Sequence, residues 1–117
     1  ALAYYRKALA IVPDDAEAML GLALVYRRVG LLDESAHWLE KCLGFSETVR
    51  RAIVTIVQVA GESKDEKYAI RLLESAIESV GEHQALLVAL GELLIKQGET
   101  LRGSSMLKKA LESPSSV

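Results

Sequence analysis

The sequence predicts an all-α chain of seven helices set out as helix–turn–helix hairpins. Three observations carry this. Apolar residues recur at i, i+3, i+4 and i+7, the spacing that lines one face of a helix. The chain superposes on itself, without a gap, at a shift of 34 residues. Half of its 117 residues are hydrophobic, enough for one domain with a modest core and too many for disorder.

The shift places Met19 on Ile53 and Leu87, Leu22 on Ile56 and Leu90, and Ala23 on Val57 and Gly91. It places Leu39 on Leu73 and Leu107, Cys42 on Ala76 and Ala110, and Leu43 on Ile77 and Leu111. Shifted backwards, Leu39, Cys42 and Leu43 land on Tyr5, Ala8 and Leu9. The expected organisation is one domain over 1–117, with repeats at 16–49, 50–83 and 84–117. Residues 1–15 precede them as the second helix of a truncated repeat and its turn.

The first helix covers 1–12, with Leu2, Tyr5, Ala8, Leu9 and Val12 as its inner stripe. Pro13 stops it, because the residue before a proline is pushed out of the helical region. Asp14 with Glu17 three residues on is a capping-box pattern for a helix over about Asp15 to Arg28. Met19, Leu22, Ala23 and Tyr26 share its inner face, and Gly30 is the expected C-terminal cap. The partner helix runs over about Leu32 to Leu43, with Asp33 and Glu34 at its positive end. The segment TVRRAIVTIVQVAG is rich in β-branched residues, which favour strand by propensity. Its Ile53, Ile56, Val57 and Ala60 nevertheless keep the helical spacing, so a helix is expected over about Thr48 to Gly61. The next helix, about Glu66 to Ser79, buries Ala69, Leu73, Ala76 and Ile77 and ends at Gly81. The last pair runs from about His83 to Lys96 and from about Thr100 to Glu112, and SPSSV frays.

The pattern resembles the tetratricopeptide repeat family, whose unit is about 34 residues of paired helices. Met19, Leu22-Ala23, Tyr26, Gly30, Leu39 and Leu43 match that family's motif, with Ser35 and Cys42 as small-residue substitutes. Pro13 stands where the preceding unit closes. The third unit matches at Leu87, Leu90-Gly91, Gly98, Leu107 and Ala110-Leu111. The second departs most, with Ala60 for Tyr, Lys64 for the turn Gly and Gly81 for the closing Pro. The resemblance implies a right-handed α-solenoid whose first helices line a concave groove.

Composition narrows the chemistry. A net charge of −2 gives no electrostatic footprint for nucleic acid, and the 34-residue period also counts against an RNA-binding helical repeat. No apolar run is long enough for a membrane span, and no signal peptide is visible. One cysteine excludes an internal disulfide and permits a reducing compartment such as the cytoplasm. His37 and His83 lie in different units, without partners at metal or triad spacing, and are expected on the surface. Cys42 stands where the other copies have alanine and is expected to be a small core residue. No phosphate loop, carboxylate pair or catalytic triad stands out, so no catalytic residue, metal or cofactor is expected.

Two surfaces remain. Tyr4, Trp38, Leu72 and Met106 are spaced by one period on the second helices, either as an exposed partner stripe or half-buried between neighbouring helices. The resemblance favours the half-buried arrangement. It also assigns the groove to Glu17, Leu20, Leu24 and Arg27, then Arg51, Val54 and Gln58, then Val88, Glu92 and Ile95. Part of the family clamps acidic C-terminal peptides with Lys and Asn, but those positions are here Leu20, Leu24, Thr55, Ala85 and Ala89. An apolar groove floor with mixed charges around it suits an amphipathic helix or an extended peptide with apolar anchors. It equally suits a helix from elsewhere in a parent protein. The expected function is a protein–protein interaction scaffold that binds a peptide or helix of a partner. The alternative is an accessory or regulatory segment of a larger enzyme. Because the chain starts within a repeat and has no Met at position 1, excision from a longer protein is expected. Leu101, Met106 and Leu107 then lack cover, and self-association through open repeat ends is expected.

Overall fold

The computed structural model describes residues 1–112 and shows seven helices, with no strand among the described residues. They are α1 (Leu2–Ile11), α2 (Ala16–Arg28), α3 (Leu32–Cys42), α4 (Val49–Glu62), α5 (Glu66–Val80), α6 (Gln84–Lys96) and α7 (Thr100–Glu112). The expected fraying of SPSSV lies outside the described residues. Along α4 the helical period prevails over β-branched propensity. Ile53, Ile56, Val59 and Ala60 are all buried, and packing of that face outweighs a propensity cost of at most about 0.7 kcal/mol per residue. The chain forms two compact units, Ala1–Val59 and Ala60–Val117.

In the first unit α2 packs on both α1 and α3. Its core holds Leu22, Ala23, Ala36, Leu39 and Cys42, all but sealed from solvent. Gly21 brings α1 close, since any side chain there would run into the ring of Tyr5. Buried hydroxyls are satisfied by backbone: Ser35 Oγ donates to the Ala23 carbonyl at 2.7 Å, and Thr48 Oγ1 to the Cys42 carbonyl at 2.9 Å. Such pairing removes the cost of leaving a buried polar group unmatched.

The second unit packs α6 against α5 and α7. Gly91 and Gly103 face each other across the α6–α7 crossing, each too near the other's carbonyl for a β-carbon. Among the described residues, surface ion pairs join helices within this unit: Lys96 to Glu66, Arg102 to Glu74 and Lys109 to Glu82.

The turns of α2 and α6 are alike. Gly30 (φ 87°) donates to Arg27 O while Leu31 donates to Tyr26 O. One double period later, Gly98 (φ 88°) donates to Ile95 O while Glu99 donates to Leu94 O. This paired closure needs a left-handed residue, which glycine supplies without strain.

The structure corrects four expectations. The N-cap of α2 is Asp15, whose carboxylate accepts from Ala18 N at 3.1 Å, not Asp14. Pro13 and Asp14 lie in the preceding turn, which shifts the cap by one residue and removes Glu17 from capping-box register. Val12 leaves the inner stripe of α1 and is exposed, because it caps that helix in extended conformation. Ile77 is only half-buried. Leu111 does not share the burial of Leu43. It is 86% exposed, although its neighbour Ala110 is buried as Cys42 is.

Candidate functional site

The residues expected in the groove fall on one face of each first helix. Glu17, Leu20, Leu24 and Arg27 follow one another along α2 at spacings of three and four, and Val54 and Gln58 do so along α4. In the first unit the structure brings Leu20, Leu24, Arg51 and Val54 together around one surface cavity of about 300 Å³, completed by Arg50 and Thr55. Leu20 is 3% exposed and forms the base, while Leu24 and Val54 are 39% and 56% exposed at its mouth. Thr55 Oγ1 donates to the Arg51 carbonyl of its own helix at 2.8 Å, so its proton is already committed.

Glu17 stands beside the cavity and holds Arg51 in a two-pronged ion pair, with Arg51 Nη1 donating to Glu17 Oε1 at 3.2 Å and Nη2 to Oε2. Arg51 Nη2 also reaches the Glu47 carbonyl at 3.2 Å. The hydrogen bond that Arg51 donates to Glu17 raises the Arg51 pKa from its ordinary value. Arg27 is half-buried near the end of α2, and Gln58 is exposed on α4; neither lines the cavity. In the second unit Val88, Glu92 and Ile95 are all exposed and occupy one face of α6.

Sequence reasoning missed Arg50 and took Thr55 only as a departure from the clamp motif. A signal for Arg50 existed: it lies one turn before Val54, as Leu20 lies one turn before Leu24.

The other candidates resolve into structural roles. His37 is exposed. His83 is half-buried and caps α6, its Nδ1 accepting from Ala85 N at 3.3 Å. Trp38 is half-buried with Lys41 Nζ 4.8 Å from its ring centroid, Leu72 is buried, and Met106 is half-buried, whereas Tyr4 is exposed. Leu101 is 90% exposed, and Met106 and Leu107 are partly covered. No group of three or more His, Cys, Asp or Glu able to hold a metal occurs among the described residues. None of the described helices is long and apolar enough to cross a membrane.

Cys42 is sealed in the first unit, its Sγ 3.9 Å from the Ala16 carbonyl. Burial pushes its thiol up to about 11 from an ordinary 9.0, against a smaller opposing hydrogen bond involving Thr48. The folded chain thus keeps this proton more firmly than the unfolded chain does. That contribution to stability is whole below pH 9 and is lost as the pH rises through 11. Urea titrations of wild type and Cys42→Ala should show a wild-type stability that falls more steeply across this window. Parallel curves would show that Cys42 does not titrate there.

Residues 16–48 match the family model described as tetratricopeptide repeat. The chain is similar to a curated protein of Caenorhabditis elegans, the BBSome complex member bbs-4, at 29% identity over 110 residues. That match spans 94% of this chain and 24% of the relative. Among solved structures it is similar to the crystal structure of MamA, with a TM-score of 0.66 and 22% identity, covering 95% of this chain and 65% of that one. The chain therefore spans about a quarter of the length of the curated relative it matches.

Proposed function

We propose that this chain, whose residues 16–48 match the tetratricopeptide repeat model, is a protein–protein interaction scaffold that binds a peptide or helix of a partner in a groove of the kind that family presents. Within the first unit the seat of binding is the α2–α4 cavity. The observation that carries this reading is the open cavity itself, where Leu24 and Val54 stay exposed over a buried leucine. Exposed aliphatic side chains around a concave surface gain free energy when a partner covers them, at roughly 25 cal/mol per Å² of apolar area. The similar nematode protein is named as a member of a complex, a role that calls for binding surfaces.

Peptide phage display against the whole chain tests this. Selected peptides should bind Leu24→Glu and Val54→Glu at least about tenfold more weakly than wild type, a loss of about 1.4 kcal/mol or more. Circular dichroism should be unchanged, because both side chains already face solvent. Undiminished binding to both folded variants would overturn the assignment.

A further inference from the structure

Charge complementarity at the cavity narrows the kind of partner it fits. The lining is aliphatic at Leu20, Leu24 and Val54, and Thr55 has committed its proton within its own helix. At about 300 Å³ the space lies at the lower edge of ligand pockets, which suits one or two apolar side chains rather than a whole cofactor. Its charged lining residues are both cations, Arg50 and Arg51, in a chain whose net charge is −2. Both lie in the first turn of α4, where the helix dipole already presents positive potential and a cation is disfavoured. Glu17 answers Arg51 through an exposed ion pair. Exposed pairs of this kind contribute little to stability, so a ligand carboxylate displaces one at small cost.

We infer that the α2–α4 cavity takes an aliphatic side chain of a partner peptide whose adjacent residue is acidic, and that this acid replaces Glu17 on Arg51. The inference rests on the scaffold reading and deepens it. Glu17 acts as an internal competitor: it holds the guanidinium in place when the cavity is empty and favours acidic over basic peptides. Arg51 presents two parallel donors, which match a carboxylate and reward an acid more than a neutral amide.

The test is a set of NMR titrations of the whole ¹⁵N-labelled chain with three probes: acetyl-Glu-Leu-Glu-amide, acetyl-Lys-Leu-Lys-amide and acetyl-Glu-Ala-Glu-amide. The first should shift the amides of Leu24, Arg51 and Val54 saturably. The other two should bind at least about threefold more weakly, and the lysine penalty should shrink in high salt. Glu17→Gln, which frees Arg51, should tighten the Glu-Leu-Glu probe by about threefold or more, and Arg51→Gln should abolish its advantage over the lysine probe. Both substitutions are at exposed side chains and leave the core untouched. Equal binding of the acidic and lysine probes, no gain in Glu17→Gln, or no shift at these amides would each overturn the inference. The phage-derived peptides separate the two readings: if they still depend on Leu24 and Val54, the scaffold assignment stands while the acidic preference falls.

Discussion

Leu73→Ala should lower the unfolding free energy by about 2–5 kcal/mol, as truncation of a sealed leucine does. Leu73 is 0% exposed at the centre of α5, in the second unit. The loss has two parts. The removed atoms forfeit their transfer out of water, and the hole they leave persists because the neighbours are already close-packed. Leu111→Ala is the matched control. The same chemical change at a side chain 86% exposed should stay within roughly 0.5 kcal/mol. Urea titration followed by circular dichroism measures both. A Leu73→Ala loss below about 1 kcal/mol would place Leu73 outside the core.

Gly103→Ala should destabilise by roughly 1–3 kcal/mol, even though alanine is the better helix former by up to about 1 kcal/mol. Propensity loses here because of what the new methyl would meet. A β-carbon on Gly103 would lie 2.7 Å from the Gly91 carbonyl oxygen and 3.0 Å from Ile95 N, both backbone atoms that no rotamer change can move. The helices must separate or bend. Gly61, within α4, offers the opposite case: a β-carbon there meets nothing within 4 Å. Gly61→Ala should therefore stabilise by up to about 1 kcal/mol, and the pair of thermal melts should move in opposite directions. A stabilised Gly103→Ala would mean that the α6–α7 crossing is looser than the structure has it.

Signals repeated along the chain are legible in the sequence itself. The helical character of α4 is the clearest case. Val54, Val57 and Val59 argue for a strand individually, yet the positions equivalent to Met19, Leu22 and Ala23 keep helical register; of these Ile53 and Ile56 are buried and Val57 is half-buried, with Val59 sealed in its stead. Features set by single residues are less legible. Asp14 and Asp15 are both sound caps, and only the path of the turn after Pro13 decides between them. Leu111 carries the same repeat position as Leu43, but periodicity reports which face a residue shares and not whether anything lies against that face. The candidate site is legible to the same degree. Leu20, Leu24, Arg51 and Val54 follow from repeat geometry, and they share one cavity. Arg50 is easily overlooked because long charged side chains are assigned to solvent by default, although their stems line apolar surfaces.

The position of one aromatic residue governs how this chain is to be watched unfolding. Trp38 is the only tryptophan in the sequence, and it lies on α3 within the first unit, under Lys41. Its fluorescence is therefore a local gauge. It reports on the surroundings of α3 in the first unit, whereas far-ultraviolet circular dichroism sums helices from both units. Two-state unfolding requires the two optical signals to follow one curve. If the units part company energetically, the curves will separate, and a lesion placed in the second unit will move the dichroism while leaving the tryptophan trace in place. The chain thus carries its own internal test of whether its halves melt as one cooperative body or in turn.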